Sequence, residues 1–180
     1  MYYSNPQMEL LKAVRILGCM EKRQTRVLLR LRYGLSLDVA DRIVRQLKCD
    51  GKVKIRKDTG LILSPDGKED PCILCAIDIA LSLATRENGP IFVPCTSDYL
   101  LHAYYPDNDT RLWILHVPDG MEQEKSMILD IGQSTAPAQS VYVMLLDSAL
   151  QTTYISSRAP CILAYPDQNG SLQLKNREGK

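Results

Sequence analysis

The sequence predicts an α+β protein, with short helices and a β-hairpin at the N-terminus and a small α/β domain with a mixed sheet after them. Apolar residues recur at a helical period over the first 48 residues, as in amphipathic helices. Apolar and basic residues then alternate over five or six residues of the segment 52–57, and a continuous apolar run of strand type spans 141–146. The polar segment 64–71, which contains two prolines, separates the two patterns. We therefore expect domains over 1–65 and 70–180.

Local signals predict three helices in the N-terminal part. Asn5-Pro6 supplies an N-cap and a proline at the first helical position, and Gly18 ends this helix. Ser36 caps the third helix, whose apolar face repeats until Asp50-Gly51 closes it. The second helix is expected from Glu21 or Thr25 through Arg32, with Tyr33-Gly34 as its break.

A β-hairpin is expected after the third helix. Residues 52–57 have the period of a half-buried strand with a basic outer face. Asp58-Thr59-Gly60 is a turn, and 61–63 returns as a second strand. Three short helices followed by a hairpin is the element order of a winged helix-turn-helix. The tight glycine-containing turn between the second and third helices is also typical of that motif.

The rest of the chain predicts strands interleaved with helices, the pattern of an α/β or α+β domain. The run over 141–146 is rich in β-branched and aromatic residues, which favours a buried central strand. Asn169-Gly170 has the composition of a hairpin turn. The other expected elements are helices over 73–85, 121–131 and 147–156, and strands over 91–93, 99–105, 112–117, 161–165 and 171–174.

Charge is divided unevenly along the chain. Residues 1–58 hold 14 of the 22 Lys and Arg residues and 6 of the 21 Asp and Glu residues, a net charge of +8. Residues 59–180 hold 8 basic and 15 acidic residues, a net charge of −7. A basic block that also forms short packed helices is typical of nucleic-acid binding. The acidic part is expected to avoid phosphate and to serve another partner.

The third helix is the expected reading helix, because such a helix enters the major groove in a helix-turn-helix protein. Arg pairs with guanine and Gln with adenine, so we assign base edges to Arg42, Arg45 and Gln46. Asp38 and Asp41 lie on the same helix and favour the alternative, namely that its exposed face is only solvated and does not bind DNA. Asp38 also suits the N-terminus of a helix, where a carboxylate is favourable. The expected phosphate contacts come from the second helix, the end of the third and the hairpin: Arg23, Arg26, Arg30, Lys48, Lys52, Lys54, Arg56 and Lys57.

The N-terminal sequence MELLKAVRILGCMEKRQTRVLLRL, followed by SLDVADRIVRQLKCDGKVKIRKDTGLIL, resembles winged helices from proteins of plasmids and other mobile elements. With the α/β portion after it, the chain resembles the replication-relaxation family. In that family a winged helix precedes a domain similar to restriction-endonuclease-like nucleases. The winged-helix resemblance covers about a third of the chain, and the C-terminal resemblance is in strand order only. The resemblance implies a winged helix that binds duplex DNA. We expect a role in transcription control or mobile-element maintenance.

A metal-dependent nuclease is the first alternative. Such an enzyme needs acidic residues on adjacent strands to hold Mg²⁺, with a lysine nearby. The expected strand 112–117 carries neither Glu nor Lys, and its His116 is a poor substitute. We therefore expect a domain without catalytic residues rather than an enzyme. The acidic residues considered for this site are Asp98, Asp107, Asp109 and the string Glu122-Gln123-Glu124-Lys125.

The cysteines raise a second metal possibility. Cys72 and Cys75 have the spacing of a zinc knuckle or a redox pair, but no second such pair follows. A zinc site that also uses Cys95 and Cys161 is an alternative to six reduced, packed thiols. The chain contains no GxGxxG, Walker, HExxH or GxSxG motif, and we expect no cofactor and no metal.

The expected partners are double-stranded DNA, a second copy of the chain, and a protein bound by the acidic C-terminal domain. Dimerisation is expected because two-fold symmetric proteins match palindromic sites. A protein-interaction module without any nucleic acid is the remaining alternative. No apolar stretch has the length of a membrane span, and no signal-peptide pattern is present at the N-terminus, so we expect a cytoplasmic protein without a membrane partner.

Overall fold

The computed structural model describes residues 2–85, 89–96, 98–135, 137 and 139–179. This described part contains five α-helices, a three-stranded antiparallel sheet and a six-stranded mixed sheet, which confirms the α+β class. Contacts divide the chain into two compact units. Unit 1 is Met1–Pro94 with Ala103–Asn108, and unit 2 is Cys95–His102 with Asp109–Lys180.

The elements follow one another in the order that the sequence predicts, with one addition at Cys19–Met20. The helices are α1 (Asn5–Leu17), α2 (Lys22–Tyr33), α3 (Leu37–Cys49), α4 (Pro71–Ser82) and α5 (Glu122–Ser134). The strands are β1 (Cys19–Met20), β2 (Lys54–Ile55), β3 (Ile62–Leu63), β4 (Ile91–Val93), β5 (Leu101–Tyr105), β6 (Thr110–Val117), β7 (Ser140–Leu146), β8 (Cys161–Pro166) and β9 (Leu172–Arg177).

The first two helices both begin with a reciprocal capping box. At α1 the N-cap is Ser4, and the Gln7 side chain accepts a hydrogen bond from the Ser4 amide at 2.8 Å. The prediction of Asn5 as the N-cap was therefore wrong by one residue, because Gln7 has the spacing to Ser4 that this reciprocal pair requires. At α2 the N-cap is Glu21, whose amide donates to Gln24 at 3.0 Å.

A partly buried glutamate joins the first helix to the end of the second. Arg32 Nε lies 2.7 Å from the Glu9 carboxylate, and the Tyr33 hydroxyl donates to the same carboxylate at 2.5 Å. Burial, together with the neighbouring Glu9, raises the pKa of Tyr33 to about 12. The contacts of Arg32 and Tyr33 with Glu9 hold the C-terminal turn of α2 against α1, just before the chain turns into α3.

The turn between α2 and α3 requires glycine. Gly34 has φ 64° and ψ 18°, the left-handed conformation in which a Cβ is unfavourable. Its amide donates to Arg30 O at 2.9 Å and so closes α2. The third helix starts after Ser36 and buries Ala40, Ile43, Val44 and Leu47, as predicted from its apolar period.

The small sheet of unit 1 has the strand order β1-β3-β2, with every pair antiparallel. The predicted hairpin is present, although its strands have only two residues each. Sequence analysis missed β1, whose Cys19 and Met20 pair with Leu63 and Ile62. The third strand matters because a two-stranded hairpin is marginally stable alone.

The polar segment 64–71 is packed within unit 1. Ser64 N donates to Gly18 O at 2.9 Å, and Asp70 caps α4 by accepting from Cys72 N at 2.9 Å. Gln24 of α2 then donates to Leu74 O of α4 at 2.8 Å. This segment thus lies inside unit 1 as contacts define it, and the expected boundary between domains at 65–70 stays a prediction.

The larger sheet has the strand order β4-β5-β6-β7-β8-β9. In unit 2, β6, β7 and β8 run parallel and β9 pairs antiparallel with β8. The predicted central strand is confirmed: β7 lies between two parallel neighbours, and Val143 and Met144 are fully buried. The predicted hairpin is also confirmed, because Gly170 turns with φ 78° between β8 and β9.

The core of unit 2 lies between this sheet and α5. Leu129 of α5 is fully buried with Leu115, Met144 and Leu163 of the three parallel strands. The helix expected over 147–156 is a single 3₁₀ turn at Ala149–Thr153. None of the helices in the described residues is long and apolar enough to cross a membrane.

Candidate nucleic-acid interface

The third helix presents one exposed stripe opposite its buried face. Asp38, Arg42, Arg45 and Cys49 are all exposed and follow one another at spacings of four, three and four residues. These spacings place side chains on one face of an α-helix. Because the opposite face is held in the core of unit 1, the stripe is presented on a rigid element.

The three predicted base-edge residues differ in the hydrogen bonds and ion pairs that their side chains already form within the protein. Arg42 has no ion-pair or hydrogen-bond partner among the residues that the structure describes. Arg45 donates only to Asp41 O of its own helix, at 3.3 Å. The Gln46 side-chain oxygen already accepts a hydrogen bond from Gln7 Nε2 of α1 at 2.7 Å. Reading adenine requires both the oxygen and the nitrogen of an amide, so Gln46 is the least available of the three.

Asp41 is neutralised by cations of α2. Arg26 donates to both of its carboxylate oxygens, at 2.8 and 2.7 Å, and Lys22 Nζ lies 2.9 Å from one of them. These contacts, the Arg26 hydrogen bonds first, hold the pKa of Asp41 far below its usual range. The carboxylate therefore ties α3 to α2, and its charge is compensated within the protein.

Four of the predicted phosphate-binding cations are engaged inside the protein. Arg23 donates to both Asp78 oxygens, at 3.0 and 2.8 Å, and also contacts Glu21. Arg26 is held by Asp41. The other two lie on the hairpin: Arg56 pairs with Glu69 and Asp58, and Lys54 donates to the Pro65 carbonyl oxygen.

The other four predicted phosphate-binding residues have unpaired charges. Arg30, Lys48 and Lys57 are exposed and Lys52 is half-buried. Within the described residues none of them forms an ion pair. The predicted set thus divides into free cations and cations with an internal acidic or carbonyl partner.

Sequence reasoning did not foresee these internal partners. Asp41 lies 15 residues from Arg26, and Asp78 lies 55 residues from Arg23. Neither separation is a helical spacing, so no local pattern links the charges. Lys22, which shares Asp41 with Arg26, was also missed.

The acidic residues considered for a nuclease lie on several different elements. Asp107 is in a 3₁₀ turn over Pro106–Asn108, and Asp109 follows it with φ 50°. The string Glu122–Lys125 forms the first turn of α5, and Glu122 is buried and bonded to Gln151. The described residues contain no group of three or more His, Cys, Asp or Glu side chains that could hold a metal ion.

The two histidines occupy different surroundings in unit 2. His102 is 8% exposed and stacks on Trp113, with ring centroids 3.7 Å apart and planes inclined by 7°. Burial lowers the pKa of His102. His116 Nε2 lies 2.9 Å from Asp147 Oδ1, where β6 and β7 end. Both histidines are polar residues on strands of the sheet, His102 on β5 and His116 on β6.

The cysteines are all unbridged thiols. Cys72 and Cys75 lie in the first two turns of α4, and burial raises the pKa of Cys75. Cys161 is buried at the start of β8, where burial also raises its pKa. Burial of Cys75 and Cys161 is typical of cysteines that pack as small apolar side chains.

Comparisons of the chain with protein-family models, curated proteins and solved structures find no match. The geometry of the described residues therefore carries the functional argument.

Proposed function

We propose that the protein binds duplex DNA through unit 1, with α3 as the reading helix and the β2–β3 hairpin as the wing of a winged helix-turn-helix. Support comes from the element order, from the three-residue turn between α2 and α3, and from the small sheet that anchors the hairpin. In such a domain the reading helix enters the major groove and the neighbouring basic groups contact phosphates.

The observation that carries the proposal is the exposed stripe of α3. Arg42 and Arg45 stand on it without a carboxylate partner, whereas Asp41 beside them is compensated by Arg26 and Lys22. Asp41 lies beside the stripe, and its compensation removes a carboxylate that would otherwise repel phosphate. Asp38, the acidic member of the stripe, forms no ion pair among the described residues and lies in the first turn of α3, where the helix N-terminus favours a carboxylate.

In this proposal unit 2 supplies the contact to a second copy or to a protein partner. A dimer would present two reading helices to a palindromic site, which matches two-fold symmetry. The biological role we propose is transcription control or mobile-element maintenance, as expected from the sequence. An interaction module without nucleic acid is the competing function, and the measurements below distinguish the two.

The test measures binding of the full chain to a fluorescent random duplex, followed by selection of preferred sequences from a random library. We expect binding that weakens steeply as salt rises, because phosphate contacts release counterions. The double variant R42A/R45A is expected to retain the non-specific part and to lose sequence preference, by about 1–3 kcal/mol for each bidentate base contact.

The matched double variant K48A/K57A removes two free cations outside the proposed base-edge pair. It is expected to weaken binding to all sequences about equally and to leave the selected sequence unchanged. Unchanged affinity and preference in both double variants would refute the proposed face. Absence of any salt-dependent binding by the unmodified chain would favour the interaction module.

A further inference from the structure

A cavity of about 580 Å³ lies in unit 2 where α5 ends and where β7 and β8 begin. Its wall includes Gln133 at the end of α5, residues 140–142 of β7, residues 160–162 around the start of β8, and residues 176–178 at the end of β9. Cavities that bind small molecules have volumes of about 300–1,000 Å³. This cavity is therefore large enough for a small organic molecule.

Two contacts fix the walls of the cavity. Gln133 Nε2 donates to Pro160 O at 2.7 Å and so joins the end of α5 to the start of β8. Cys161 is paired with Arg177 across the antiparallel strands β8 and β9, and side chains directly opposite each other in such a pair lie on the same face of the sheet. Since Cys161 belongs to the core that includes Leu129 of α5, Arg177 lies on the α5 side of the sheet.

Arg177 brings a positive charge to this cavity without an acidic partner. It is half-buried and forms no ion pair among the described residues, and its Nη1 donates to Ile155 O. Asp130 of α5 also lies close to Cys161, but its carboxylate already accepts three hydrogen bonds from the segment before β8, at 2.7, 3.0 and 3.1 Å. Because a guanidinium has several N–H donors, Arg177 retains donors for an anion in the cavity.

Ser140 adds a buried hydroxyl to the same wall. Its Oγ has no hydrogen-bond partner among the described residues. The Tyr142 hydroxyl, which lies close to it, donates instead to Gly132 O at 3.2 Å. A buried polar atom without a partner is rare in folded proteins. An oxygen atom of a bound molecule would supply the missing partner.

The chemistry of the wall selects an organic acid. Val141 and Ile162 contribute apolar surface, and Arg177 and Ser140 contribute donors for an acidic group. The part of α5 at the cavity is its C-terminus, where the helix dipole places partial negative charge. That charge opposes a doubly charged phosphate more than a singly charged carboxylate. Glu178, the acidic residue of the described wall, is exposed, so solvent screens its charge.

We propose that this cavity binds a small organic carboxylic acid, whose carboxylate pairs with Arg177 and accepts a hydrogen bond from Ser140 Oγ. The apolar part of the acid then lies against Val141 and Ile162. The inference goes beyond the proposed function, because it gives unit 2 a ligand of its own. Its test contains no DNA, so its failure and the failure of DNA binding are separate results.

The experiment is titration of the full, isotope-labelled chain with benzoate and with hexanoate, followed by the NMR shifts of backbone amides. The two acids combine the same carboxylate with a planar and with a flexible apolar body. We expect saturable shifts at Ser140, Cys161 and Arg177, with dissociation constants of about 1 mM, as for fragments of about eight or nine heavy atoms. Benzamide has the same ring without the charge and is expected to bind at least about tenfold more weakly. Inorganic phosphate is also expected to bind more weakly than benzoate.

Variants of the wall test which residues hold the carboxylate. Arg177→Gln is expected to raise the dissociation constant of benzoate at least about tenfold, because the charged partner is lost. Arg177→Lys keeps the charge but not the paired donors, and is expected to raise it less. Ser140→Ala is expected to raise it about threefold, through the loss of one hydrogen bond. Lys175→Gln removes an equal charge from the same strand outside the cavity wall, and this control is expected to change it by less than about twofold.

Thermal unfolding of each variant checks that the fold is retained. Absence of saturable shifts with both acids up to about 10 mM, equal affinity for benzamide and benzoate, or tighter binding of phosphate would each overturn the proposal. An unchanged affinity for benzoate in Arg177→Gln would do the same. If Arg177→Gln does not fold, an unchanged affinity in Ser140→Ala is the result that overturns it.

Discussion

Replacing Lys57 by glutamine removes a cation that forms no ion pair in the described part of the structure. The effect of this replacement on DNA binding can be compared with that of removing a cation that is ion-paired. Lys57 is exposed at the tip of the β2–β3 hairpin and forms no ion pair among the described residues. Arg23, another predicted phosphate contact, donates to both oxygens of Asp78. The matched change is R23Q/D78N, which removes this ion pair without altering the net charge.

The magnitude follows from counterion release. Each phosphate contact on duplex DNA contributes about −0.9 to the slope of log affinity against log salt concentration. Lys57→Gln is therefore expected to make the slope less steep by about 0.9. Over the fourfold rise from about 50 to 200 mM salt, the variant would lose about 3.5-fold less affinity than the unmodified chain. The double variant R23Q/D78N is expected to leave the slope within about 0.3 of the original value, because its charges already compensate each other.

The assay is fluorescence anisotropy of a labelled duplex, titrated with each variant at five salt concentrations. Thermal unfolding of each variant checks that the fold is retained. If R23Q/D78N makes the slope less steep by as much as Lys57→Gln does, the Arg23–Asp78 ion pair opens when DNA binds. The division of the cations into those with and those without an internal partner would then be wrong. An unchanged slope in Lys57→Gln would remove the hairpin from the proposed interface.

Three further predictions concern the framework that presents α3. Asp41→Asn is expected to lower the free energy of unfolding at pH 7 by about 1 kcal/mol. Because the pKa of Asp41 is depressed in the folded state, this difference in stability is present above pH ~4, the pKa of the unfolded state, and shrinks as the pH falls further. Urea unfolding of both proteins at pH 7 and pH 3 checks it. Gly34→Ala is expected to cost about 1 kcal/mol in the same assay, from backbone strain at φ 64°, because no atom beyond the neighbouring residues lies within 4 Å of the added Cβ. A cost of zero would contradict the left-handed turn. Ile114→Ala, in a fully buried position of β6, is expected to cost about 2–5 kcal/mol, and a smaller loss in urea unfolding would mean that the core of unit 2 is loosely packed.

Much of the fold was accessible to sequence reasoning wherever a signal is local. Ser36, the apolar period up to Leu47 and the Asp50-Gly51 ending gave α3 to within a residue. Asn169-Gly170 gave the hairpin of β8 and β9, and the apolar run gave β7. Each of these signals acts on its own neighbours through capping, side-chain period or turn conformation, and so it is legible without the rest of the chain.

The two-residue strand β1 shows where this reasoning stops. Cys19 and Met20 are too few to display the alternation that identifies a strand, and they are strand residues only because Leu63 and Ile62 lie beside them. The candidate interface has the same limit. The helical period predicted that Arg42 and Arg45 share one helix face, but no spacing indicated which cations have an acidic partner.

The sequence by itself determined the fold class, the order of most helices and strands, and the concentration of positive charge in the first 58 residues. Only the tertiary structure decided which of those charges remain available, because Asp41, Asp78 and Glu69 reach Arg26, Arg23 and Arg56 across 15, 55 and 13 residues of chain. An ion pair depends on distances of a few ångströms between side chains. For Arg26 and Arg23 such distances are set by the packing of α2 against α3 and α4, and for Arg56 by the contact of the hairpin with the segment before α4. The linear order of residues does not contain them.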